Sequence, residues 1–156
     1  MGMVNQQISD DLKVALKAGD ELKKSVLRML MSAFKNKEIA LSKKDSGLSE
    51  DETLQVLRTE VKRRWEAAEQ FEKGGRGDLA KKEQEEARVL ETYLPREISE
   101  EELLGVVKSA LKEVVAQSSK DFGVAMKAAM AKLHGAVGGE RVAQMVKKIL
   151  SEKESQ

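Results

Sequence analysis

The sequence predicts an all-α fold in two helical units, four helices followed by about three. Three observations carry that prediction. Apolar residues recur at steps of three and four almost throughout, and no stretch sustains the alternation of a strand. Serines stand three residues ahead of an acid at several points, which is a helix-start signal. The only proline, Pro95, lies between two charge-rich helical patterns. Proline cannot donate a helix hydrogen bond and disfavours helical backbone at the residue before it, so it marks a joint.

The first helix places Ile8, Leu12 and Leu16 on one stripe and ends at "AGD", Ala18 to Asp20. Asp20 caps a second helix through Leu22, Val26, Met29, Leu30, Ala33 and Phe34 to about Leu41. The polar linker "SKKDSGLS" follows, and Ser49 with Glu52 forms a capping box. Behind it Leu54, Leu57, Val61, Trp65, Ala68 and Phe71 make one buried stripe. At ~1.5 Å per residue this third helix, about 23 residues, reaches roughly 35 Å and suits an extended antiparallel arrangement. "GGRGD", Gly74 to Asp78, stops it and supplies Asp78 as the next cap.

A fourth helix, with Leu79, Ala87, Leu90 and Leu94, runs into Pro95. Ser99 and Glu102 start a fifth, carrying Leu103, Val107, Ala110, Leu111 and Val114. Ser118 with Asp121 caps a sixth, carrying Phe122, Ala125, Met126, Ala129 and Leu133. The last uses Val142, Met145, Val146, Ile149 and Leu150. The expected domains are therefore 1–95 and 96–156.

Composition narrows the function classes. Aromatics are only 3%, so the core rests on Leu, Val, Ala and Met, and seven methionines make it adaptable. The net charge is +1, from 28 basic and 27 acidic residues, so electrostatic binding must come from local segregation of charge. Cysteine is absent, which excludes disulfides, thiolate nucleophiles and cysteine–zinc sites. The opening "MGMVNQQISDDLK" lacks the basic and apolar regions of a secretory signal, and Gln6 stands where a myristoylation signal has Ser or Thr. No apolar run approaches the ~20 residues of a membrane span. A cytoplasmic protein without membrane association is the expectation.

No catalytic constellation is visible. The lone His134 lies in a glycine-flanked loop and reads more readily as a solvated loop residue than as a base. Glu83, Glu85 and Glu86 have Lys81, Lys82 and Arg88 around them and look like an ordinary helix surface. No spacing suits zinc, calcium or a phosphate loop, so no cofactor is expected.

Binding features are better candidates. Lys62, Arg63 and Arg64 adjoin Trp65, but Trp65 falls on the predicted buried stripe and Glu66, Glu69 and Glu72 answer the cations. From Phe122 to Leu150 five cations (Lys127, Lys132, Arg141, Lys147 and Lys148) face Glu140 alone, a net of +4 where the whole chain carries +1. A glycine-rich turn into a helix also presents backbone N–H groups that can meet phosphate. Solubilising charge explains the same five cations equally well.

The runs "LRMLMSAFKNKEIAL", "EVKRRWEAAEQFEKGGRGDLAKKEQEEARVLETYLP" and "ISEEEL", in this order, closely resemble the YqeY family. Its members share their C-terminal domain with the tail of the B subunit of the glutamine-dependent tRNA amidotransferase. The resemblance implies an N-terminal helical domain ending near Leu94, a C-terminal one from Ile98, and a link to tRNA. It also brings a family label of carbon–nitrogen ligase with glutamine as amido donor, although the serine–lysine machinery of that chemistry is not visible here.

Where the family commonly has a "GRADGK" type loop, this chain has "GAVGGE", Gly135 to Glu140, with Ala136 for a usual arginine and Glu140 for a usual lysine. Lys132, Arg141, Lys147 and Lys148 remain as nucleic-acid-binding candidates. The expected function is a non-catalytic accessory that binds tRNA through its C-terminal domain, beside an amidotransferase or synthetase. The alternative is a protein-interaction module with no RNA role.

Overall fold

Seven α-helices and one short 3-10 turn form among the described residues, with no strand. The computed structural model describes residues 2–133 and 136–155. The chain divides into two compact units, Met1–Leu94 and Pro95–Gln156. The first holds α1 (Met3–Ala18), α2 (Glu21–Ala40), α3 (Glu50–Lys73) and α4 (Gly77–Glu91). The second holds α5 (Glu100–Glu113), the 3-10 turn Ser119–Asp121, α6 (Phe122–Leu133) and α7 (Gly139–Glu154).

In the first unit Ile8, Leu27, Leu30, Phe34, Leu57 and Leu90 are all but fully buried in one cluster. Two stripe residues read from the sequence lie elsewhere. Leu16 is 44% exposed and Ala15 takes the inward position, because α1 follows Leu12 with a step of three to Ala15 rather than a second step of four. Met29 is 53% exposed, since Val26, Leu27, Leu30 and Phe34 already fill that face of α2.

Helix ends follow the capping signals closely. Asp20 accepts from Lys23 N, and the Ser49–Glu52 box is complete. A hydrogen bond from Lys43, then one from Ser49 N, holds the Glu52 carboxyl below its ordinary range. The start of α1 has no cap of its own and borrows Glu50, whose Oε1 accepts from Val4 N at 3.2 Å. Asp78 does not cap α4, because the helix starts one residue earlier at Gly77 and Asp78 lies in its first turn. Nor does α4 reach Pro95. It stops at Glu91, and the bonds Tyr93 N to Leu90 O and Leu94 N to Glu91 O tighten the chain into a turn first.

That turn is tied down by Tyr93, which is 7% exposed and donates its hydroxyl to Asp11 Oδ2 on α1 at 2.6 Å. Burial, then the bond to Asp11 and its charge, push the phenol well above its ordinary value. A folded-state value raised in this way gives stability that is complete below pH ~10, the unfolded value, and is lost as the pH rises above it. Tyr93→Phe is expected to lose about 1.5–3 kcal/mol at pH 8, the range for a hydrogen bond to a charged group. Urea unfolding at pH 8 and pH 11 checks this, and the variant's stability should fall less between the two than the parent's.

In the second unit Leu103, Val107, Leu111, Val142, Val146 and Leu150 build the core, with Ala125 and Ala129 of α6. Arg141 at the start of α7 reaches Glu100 at the start of α5, and Lys153 near the end of α7 donates to Ala116 O just past α5. The two helices therefore run side by side in the same direction. Ser99 accepts from Glu102 N at the start of α5. Ser118 and Asp121 form a complete box ahead of the 3-10 turn rather than of α6 directly.

Candidate nucleic-acid interface

The four cations expected to meet nucleic acid all lie on α6 and α7 of the second unit. Two of them are already engaged. Lys132 pairs with Glu113 at 2.7 Å, and Arg141 donates from Nε and an Nη to Glu100 Oε1 at 2.8 and 2.6 Å. Glu100 and Glu113 are thirteen residues apart on α5, about 20 Å along its axis, so these pairs stand at opposite ends of that helix. The +4 segment is thus partly neutralised by carboxylates on a helix outside its own stretch of sequence.

Lys147 and Lys148 are different. Both are exposed, and neither has a carboxylate partner among the described residues. Lys147 lies over the Phe122 ring, 5.5 Å from its centroid, a contact that steadies the ammonium without discharging it. Lys148 is seven positions beyond Arg141, so it shares the side of α7 that turns toward α5. Neighbouring helical positions differ by ~100°, so Lys147 and Lys148 address different directions.

Of the altered "GAVGGE" loop, Gly135 is outside the described residues, as is His134. Val137 is 3% exposed and belongs to the core. Glu140 sits in the first turn of α7, where the helix dipole favours a carboxylate by ~0.3–1 kcal/mol.

Two carboxylates hold the turn between α5 and α6. Asp121 accepts from the backbone of Gln117 and then Ser118, which pulls its carboxyl below the ordinary range. Glu154 accepts from Ser119 N and shifts the same way for that reason. Depressed folded-state values mean that this stabilisation is present above about pH 4 and is lost as the pH falls below it.

Sequence reasoning passed over Lys108 and Lys112 on α5. Their spacing of four on an amphipathic helix, with Leu111 between them facing the core, was the signal available.

The basic run of α3 is arranged differently from its expected pattern. Trp65 is only partly buried, at the edge of the core, and donates to Glu91 of α4. Arg64 is the buried residue, 7% exposed. It reaches Glu86 at 3.3 Å and Glu83 at 3.8 Å across the antiparallel α3–α4 hairpin, and its Nη2 lies 3.9 Å from the Met29 sulfur. Glu86, 6% exposed, is therefore no ordinary surface residue. A turn that packs tightly on α3 brings it inward, which spacing along α4 alone does not reveal. Lys62 and Arg63 are exposed, and Arg63 pairs with Glu60 at 3.1 Å. Among the described residues no group of three His, Cys, Asp or Glu could hold a metal ion, and no helix is long and apolar enough to cross a membrane.

A four-helix unit with a buried ion pair, followed by a three-helix unit that exposes lysines on its last helix, defines a small all-α protein of two parts. Comparison with known proteins makes this specific. The chain belongs to the YqeY family, whose model, described as "Yqey-like protein", matches residues 5–150.

Curated proteins similar to it are each named "Altered inheritance of mitochondria protein 41, mitochondrial". That of Vanderwaltozyma polyspora is 36% identical over 87 residues, 56% of this chain and 46% of that protein. That of Kluyveromyces lactis is 37% identical over 86 residues, 55% and 45% of the two. That of Lachancea thermotolerans is 34% identical over 109 residues, 69% and 57%. The chain spans about half the length of the curated relatives it matches. Their names correct the expectation of a cytoplasmic protein, because they point to the mitochondrion instead. Nothing in the composition distinguishes cytoplasm from mitochondrion.

Proposed function

We propose that the chain is a non-catalytic RNA-binding accessory whose second unit contacts tRNA, working beside a tRNA amidotransferase or synthetase. The observation that supports this reading best is the pair Lys147 and Lys148, exposed on α7 with no carboxylate partner among the described residues. Unpaired ammonium groups on a rigid helix are what a phosphate backbone takes, and each contact releases a counterion. Lys132 and Arg141 are weaker contributors, since a phosphate must compete with Glu113 and Glu100 for them.

The competing reading is a protein-interaction module. In its favour is a cleft of about 480 Å³ between α2 and α3, with the exposed Met29 on its wall. A flexible thioether suits an adaptable protein contact.

Lys147→Ala/Lys148→Ala separates the two. Fluorescence anisotropy with labelled tRNA at low salt should show weaker binding, and the slope of log affinity against log salt should flatten by about two. Unchanged affinity in the variant would remove Lys147 and Lys148 from the interface.

A further inference from the structure

Among the described residues four helices close through a residue in the left-handed region, and three of the four use small residues, Gly19, Ser42 and Gly75. The fourth, α5, closes on Val115 at φ 54°. A β-branched side chain is an outlier there. The turn itself is an ordinary helix closure, with Ala116 N donating to Leu111 O at 2.9 Å, and it favours glycine. Burial does not explain the valine either, because Val115 is 69% exposed.

Its surroundings give it a use. Val115 stands on the wall of a cleft of about 480 Å³ between the C-terminal halves of α5 and α7. Lys108 and Lys112 of α5 and Lys153 of α7 line the same cleft, with Gln117, and Glu152 is its one carboxylate. Lys108 and Lys112 are exposed and have no ion pair among the described residues, and they stand one turn apart, ~6 Å along the helix. Lys153 donates one N–H to Ala116 O at 3.0 Å and has two further N–H groups. Lys148 lies one turn before Glu152 on α7, which continues the positive surface toward the middle of that helix. At the other end of α5, Arg141 is neutralised by Glu100, whereas the three lysines of the cleft have no carboxylate partner among the described residues.

We propose that this cleft is where the second unit holds RNA, the phosphates of one strand meeting Lys108, Lys112 and Lys153 while Val115 packs against a base or ribose. The proposal rests on the RNA reading above and names its surface. An open, solvated cleft with ammonium groups a turn apart suits a chain of phosphates. A lone phosphate would need enclosed, convergent donors to be held. The exposed valine adds the apolar contact that a nucleotide offers and a free inorganic anion does not.

The test uses the full chain, a fluorescein-labelled tRNA transcript and anisotropy across a salt series. Lys108→Gln/Lys112→Gln should weaken binding at least fivefold and flatten the salt slope by about two. Val115→Gly should raise Tm by about 5 °C, because it relieves the backbone, yet weaken binding about threefold. That opposition of signs is what a merely structural valine would not produce. Steep, salt-dependent binding by the parent with no change in the lysine variant would overturn the cleft and leave the RNA reading standing. No binding by the parent at low salt would remove both. A Val115→Gly protein that is more stable and binds as tightly would take Val115 out of the contact. Displacement of the tRNA by inorganic phosphate, but not by chloride at equal ionic strength, would make the cleft a single-anion site and overturn the strand proposal.

Discussion

Replacing Arg64 by methionine is expected to destabilise the first unit by about 3–5 kcal/mol, because it leaves Glu86 buried with no cation. Both side chains of the pair are 8% exposed, so water cannot take over the role of the missing guanidinium. The loss reflects an uncompensated charge and does not measure the worth of the pair. Arg64→Met/Glu86→Leu should therefore recover most of it, since well-packed apolar residues often match or exceed a buried ion pair. Urea unfolding of the two variants decides the matter. A loss below about 1 kcal/mol in Arg64→Met would mean that the pair is solvated and the hairpin looser than described.

Phe34→Ala is expected to cost about 3–5 kcal/mol, through lost transfer energy and the cavity left behind. Phe34 is 1% exposed in the cluster that joins α1, α2, α3 and α4. Leu16→Ala is the control, because at 44% exposure it should stay within about 0.5 kcal/mol of the parent. Thermal or urea unfolding measures both. If Leu16→Ala also cost several kcal/mol, α1 would have to be rotated so that its sequence-derived stripe faced inward.

The fold class was legible because helix periodicity and capping are local properties. Ser49 with Glu52 and Ser118 with Asp121 close the reciprocal bonds that their spacing implies. What escaped the sequence depends on contacts across elements. Leu16 and Ala15 compete for one inward position on α1, and only packing against neighbouring helices selects the smaller one. Arg64 reads as one of three adjacent cations until α4 folds back and offers Glu86. Glu50 looks like a first-turn acid of α3 and also caps α1.

The candidate interface shows the same division. Counting charge from Phe122 to Leu150 found the lysines of α7 but missed Glu100 and Glu113, which lie outside that stretch and engage two of the four cations. Lys108 and Lys112 escaped for the converse reason, since α5 carries its own acidic first turn and no local excess marks the pair. Val115 had no signature at all, because an unfavourable backbone angle at a valine is visible only in the folded chain.

The proposed RNA contact of the second unit runs through lysines with no acidic partner among the described residues. The salt dependence of tRNA binding by the unaltered chain tests it most directly. Affinity is expected to be micromolar or tighter at low salt and to fall linearly on a log–log plot with a slope of about −4, as about five phosphate contacts give. Absence of binding at low salt, or an affinity indifferent to salt, would contradict it.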